Sequence, residues 1–82
     1  MRTGPSAPSR GDGVVRQWDA DAGWGVVVLD RVGLLVWTHY SAVVAEPGTY
    51  RSLEPGRRVR CWFETPGQDG YAARALRVEA QD

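Results

Sequence analysis

Apolar and polar residues alternate in short runs along most of this chain, and turn-forming residues separate the runs. The first run covers residues 14–18, and Asp19-Ala20-Asp21-Ala22-Gly23 follows it as a turn. The second covers residues 24–29, and Asp30-Arg31-Val32-Gly33 is a short hairpin connection to a third that ends near Thr38. Successive side chains of a strand point to opposite faces, so period-two alternation bounded by Gly, Asp and Pro predicts half-buried strands. A fourth strand is expected over residues 57–64, with Val59, Cys61 and Phe63 on one face. After the loop Pro66-Gly67-Gln68-Asp69-Gly70, a fifth is expected over about residues 71–78. Between the third and fourth, Ser41-Ala42-Val43-Val44 predicts one helical turn with Ser41 near its N-cap. Glu46-Pro47-Gly48 ends that turn, and a long loop carries Tyr50 and Leu53.

Residues 1–12, MRTGPSAPSRGD, show no apolar periodicity and are expected to form a disordered tail before a single domain over 13–82. Five short strands without a real helix predict an all-β fold, a small SH3-like or OB barrel. Closure suits 82 residues. A domain near this size buries only roughly 60% of its unfolded surface, and a barrel leaves few strand edges open.

Strand parity separates two faces. Trp24, Val26 and Val28 share one face of the second strand, and Gly25, Val27 and Leu29 share the other. In the third strand Trp37 and His39 share a face opposite Val36 and Thr38. A small barrel cannot hold Trp24, Trp37 and His39 inside together, so Val27, Leu29, Val36, Val59, Phe63 and Val78 are the expected core. Trp24, Val26, Trp37 and His39 then lie on the outer face of two adjacent strands, where an aromatic cluster reads as a binding surface.

Charge narrows what such a surface could bind. Ten acidic residues balance ten basic ones, and all the basic ones are Arg. A zero balance argues against a polyanion binder driven by charge alone and leaves base stacking open, which planar guanidinium groups suit. Cys61 is a lone cysteine, which excludes an internal disulfide, and with a lone histidine it cannot build a zinc site. No metal or cofactor is expected. No Ser/His/Asp arrangement, phosphate loop or carboxylate pair near His39 points to an enzyme. No apolar run is long enough to span a bilayer and no signal-peptide pattern opens the chain, so a cytoplasmic monomer is expected.

From Gly13 to Val78 the residues resemble a known family. Gly13-Val14-Val15-Arg16-Gln17-Trp18-Asp19 is similar to the G-x-V-K-W-F-N opening of bacterial cold-shock proteins. Ala22-Gly23-Trp24-Gly25-Val26-Val27 resembles their K-G-F-G-F-I motif, and Val36-Trp37-Thr38-His39-Tyr40 with Ser41-Ala42-Val43 resembles V-F-V-H-F-S-A-I. Tyr50-Arg51-Ser52-Leu53, Pro55-Gly56-Arg57-Arg58-Val59-Arg60-Cys61 and Gly70-Tyr71-Ala72-Ala73 follow in family order. The resemblance implies a five-stranded antiparallel OB-fold barrel that stacks single-stranded RNA or DNA on its aromatics, as an RNA chaperone or expression modulator. It implies a central platform of Trp24, Trp37 and His39 beside Val26, flanked by Tyr40 and Tyr50. Arg16 keeps the family's positive charge for phosphate. Trp18 either flanks the platform or packs in the core.

Trp24, Trp37, Tyr40 and Tyr50 stand where the family has Phe and keep a ring, but four other positions lose the family's group. Gln17 and Val26 replace rings, Ala22 replaces a Lys, and Ala72 replaces a base-contacting Gln. With the zero net charge, these leave a second reading open: an OB module that binds a protein partner through the same face. Trp62 faces away from Cys61 and Phe63 and lies outside every motif. It packs on the long loop or marks a protein contact.

Overall fold

The computed structural model describes residues 8–45 and 52–81. Alternation along the chain becomes five strands: β1 (Ser9–Asp19), β2 (Trp24–Leu29), β3 (Leu35–His39), β4 (Arg58–Glu64) and β5 (Ala73–Ala80). They close into a barrel in the order β1-β2-β3-β5-β4, an OB-like all-β architecture. Four of the five seams are antiparallel, as expected, and β3 and β5 pair in parallel through Val36↔Ala73 and Trp37↔Arg74. The reason is parity. Strand direction cannot alternate all the way around a ring with an odd number of members, so one seam must be parallel.

The first strand also begins earlier than its hydrophobic pattern indicates. Residues 9–12, read as tail, pair with β4 from Ser9↔Phe63 to Asp12↔Arg60; residues 1–7 lie outside the described residues. Gly11 packs against Leu29 and Phe63, and a Cβ at Gly13 would overlap the Val28 carbonyl. Gly11 and Gly13 both face inward, opposite Cys61 and Val59, and a missing side chain leaves no hydrophobic signal. Across the strand, Arg60 donates to Asp12 Oδ1 at 3.1 Å and Gln81 to the same oxygen at 3.2 Å.

Val15, Val27, Leu29, Val36, Val59, Cys61, Ala73, Ala75 and Val78 fill the barrel, with Val43 and Leu53 closing on them. Five of the six expected core residues are there. Phe63 only packs against the cluster and stays half-buried. The β4–β5 register shifts at this point: Trp62 pairs with Arg77 and Phe63 with Ala75, so the extra residue, Leu76, is on β5.

A second register shift, in β1 between Val15 and Gln17, sets Arg16 out of the ladder. Beyond it Gln17 pairs with Val26 and Trp18 with Gly25. Trp18 therefore packs against the core cluster, over the one β2 position without a side chain. A Cβ at Gly25 would overlap the Trp18 ring and the Gln17 carbonyl.

Candidate nucleic-acid interface

Directly paired residues of an antiparallel ladder share a face. Across β2 and β3 the pairs are Trp24↔His39 and Val26↔Trp37, so the four expected outer-face residues lie side by side. β1 adds Gln17 beside Val26, and β5 adds Arg74 beside Trp37.

These rings form a stacked series rather than an open platform. Trp24 stacks on Trp37 at 6.1 Å, Trp37 on His39 at 5.9 Å, and His39 meets Tyr40 at 4.5 Å. At the other end Tyr71 meets Trp24 edge-on at 6.2 Å. Trp37 is consequently only 8% exposed and Val26 only 2%. The expectation of an open Trp37 and Val26 is thus corrected: both point out of the barrel, but neighbouring rings cover them. Aromatic pairs at these separations attract by about 0.5–1.5 kcal/mol beyond their buried area, which favours rings covering one another. The open aromatic surface lies at the ends and edges of the series. Tyr40 is 46% exposed, while Trp24, His39 and Tyr71 are half-buried.

Tyr71 is the ring that sequence reasoning missed. It arrives on the β4–β5 loop and lines a crevice of about 160 Å³ with Arg16, Gln17, Val26 and Leu35. That crevice includes Gln17 and Val26, the two positions noted from the sequence as carrying no ring. The signal was a Tyr at Gly70-Tyr71-Ala72-Ala73 in a chain without rings at Gln17 and Val26. Gly67 makes the approach possible, because a Cβ there would overlap the Tyr71 carbonyl and lie 2.6 Å from the Ala73 nitrogen.

His39 has a defined tautomer. Its Nδ1 accepts from the Ser41 backbone N–H at 3.2 Å and lies 2.8 Å from the Ser41 hydroxyl. A backbone N–H only donates, so the ring hydrogen of a neutral imidazole sits on Nε2. His39, not Ser41, therefore caps the 3₁₀ turn Tyr40–Ala42. Tyr40 is anchored through its own N–H to the Gly23 carbonyl at 2.8 Å, which ties the β1–β2 turn to the end of the ring series.

One polar atom of the series is unsatisfied: Trp37 Nε1 is buried without a hydrogen-bond partner among the described residues. Such a donor costs about 1–3 kcal/mol. Charge around the series is mainly acidic. Asp19 and Asp21 flank Trp24, Asp69 precedes Tyr71, and Glu64 pairs with Arg74; Arg16 is exposed at the bulge. Trp18 lies on the core side and is not part of the series, and Tyr50 lies outside the described residues.

Among the described residues no three His, Cys, Asp or Glu side chains lie close enough to hold a metal ion, and no helix is long and apolar enough to cross a membrane. No family model matches the chain, and no curated protein sequence does.

Proposed function

We propose that this barrel binds single-stranded RNA or DNA through the outer face of β2 and β3, as a divergent relative of the cold-shock proteins. It acts without catalysis, as a cytoplasmic RNA chaperone or expression modulator. The observation that carries this reading is the series Tyr71, Trp24, Trp37, His39 and Tyr40 on the outside of a five-stranded barrel. Bases stack on the exposed faces of Tyr40 and on the open edges of Trp24 and His39, and His39 Nε2–H donates to a base carbonyl or a phosphate. An incoming base that parts the Trp24–Trp37 stack also gives Trp37 Nε1–H an acceptor, which offsets part of the energy of opening the stack.

The acidic flank of this face favours a second reading, a basic protein partner on the same rings. Titration with a heptauridine or heptathymidine separates the two. On the nucleic-acid reading the oligomer quenches Trp fluorescence, and Tyr40→Ala weakens binding by about 1–3 kcal/mol. No quenching at low salt sinks it in favour of the protein partner.

A further inference from the structure

Trp62 is half-buried on the outer face of β4. In the barrel order β4 neighbours only β1 and β5, so Trp62 lies across the barrel from the β2–β3 face. Its register partners are both arginines, Arg10 on β1 and Arg77 on β5. The Arg77 guanidinium sits 5.8 Å from the Trp62 ring centroid. The result is a row in which an indole lies between two planar cations.

The surroundings of that row are basic, unlike those of the ring series. Arg10, Arg31 and Arg60 line a hollow of about 510 Å³ together with Gly11, Asp12 and Asp30. On this side five guanidinium groups (Arg10, Arg31, Arg58, Arg60, Arg77) face three carboxylates (Asp12, Asp30, Glu79), an excess of two positive charges. Near the ring series along the chain, three carboxylates (Asp19 opposite Trp24, Asp21 in the preceding turn, Asp69 in the loop before Tyr71) outnumber Arg16, while Arg74 and Glu64 pair with each other. Arg58 and Arg60 are held by Asp30 and Asp12, and Arg77 by Glu79. Among the described residues Arg10 and Arg31 make no ion pair, so the charge available to a ligand is concentrated beside Trp62 and in the hollow.

We propose that the β1–β4–β5 face is a second contact surface for single-stranded nucleic acid, on which a base stacks on Trp62 while the adjoining phosphates lie against Arg10 and Arg31. A stacking ring with one unpaired guanidinium group beside it, that of Arg10, and a second, that of Arg31, in the adjoining hollow fits the alternation of ring and anion along a nucleotide chain. The inference stands independently of the ring series and extends the proposed function. Two faces on opposite sides of one barrel hold two strand segments at once, and they differ in salt response because only the second neutralises phosphates.

The test is a heptauridine titration of the full chain between about 20 and 200 mM salt, with wild type, Trp62→Ala, an Arg10→Gln/Arg31→Gln double variant, and Tyr40→Ala. Wild type should bind two heptamers, one in a salt-sensitive phase. Each phosphate released from contact reduces the slope of log K against log salt by about 0.7, so the double variant should lose about 1.4 from the slope of that phase. Trp62→Ala should abolish the phase and leave the other, which Tyr40→Ala weakens instead. The double variant alters only exposed side chains, so it gives an answer even if Trp62→Ala unfolds. An unchanged slope and stoichiometry in the double variant overturns the proposal. So does equal binding of an acidic peptide such as hexaglutamate, which would assign this face to a protein. Failure of the ring-series reading shows separately, as a Tyr40→Ala variant indistinguishable from wild type.

Discussion

Trp37 combines two roles that pull against each other. It is nearly buried between Trp24 and His39, and its indole N–H has no acceptor among the described residues. Trp37→Ala should therefore destabilise the fold, toward the lower end of the about 3–5 kcal/mol typical of buried Trp, because it also removes the unsatisfied donor. Trp37→Phe keeps a ring in the stack and removes the same donor, so it should lose less than about 1 kcal/mol in urea denaturation. A Phe variant as unstable as the Ala variant would show that the N–H is satisfied in solution. Cys61 gives a second residue-level test. Burial pushes its thiol up to about 12 from an ordinary value of 9.0. Between those values the native state keeps a proton that the unfolded state has released. Stability should thus be unaffected below about pH 9 and should fall above it by up to about 1.4 kcal/mol per pH unit. Cys61→Ala should remove that slope when melts at pH 8 and pH 10 are compared, and an identical slope in the variant would contradict the assignment.

At the scale of elements, parity made the inner and outer faces of β2 and β3 readable before any coordinates. Val27 and Val36 line the core while Trp24, Val26, Trp37 and His39 share the outside. Register shifts and glycines hid the rest. The bulge at Arg16 moves Trp18 to the core side, and nothing in the local side-chain pattern marks a bulge. Gly11 and Gly13 concealed the first half of β1 because their inward positions carry no side chain. Tyr71 was hidden by its loop, whose path depends on how closely Gly67 lets the backbone approach β5. The β1–β4 seam provides the corresponding test. Deleting residues 1–12 removes the pairs from Ser9↔Phe63 to Asp12↔Arg60 and the Asp12 contacts of Arg60 and Gln81. The truncated chain should melt well below the full one; equal melting temperatures would mean that this half-strand adds nothing. The Arg60 and Gln81 hydrogen bonds also hold the Asp12 carboxyl below its ordinary value of 3.8. Its contribution is present above that pH and is lost as pH falls through the lowered native value.

On the scale of the whole molecule, the zero net charge conceals an uneven distribution. The ring series lies in an acidic setting and Trp62 in a basic one, across the barrel from each other. On the proposed function, binding at the ring series would therefore come from stacking. With little phosphate neutralised there, its affinity should hardly change with salt. The most direct measurement is a pyrimidine heptamer titration followed by Trp fluorescence near 200 mM salt, in the Trp62→Ala background that removes the salt-sensitive phase of the opposite face. Binding should persist with Kd on the order of micromolar, about −8 kcal/mol, and Tyr40→Ala and Trp24→Ala should each weaken it by about 1–3 kcal/mol. No binding in that background, or binding that neither substitution changes, would contradict a nucleic-acid site on the β2–β3 face.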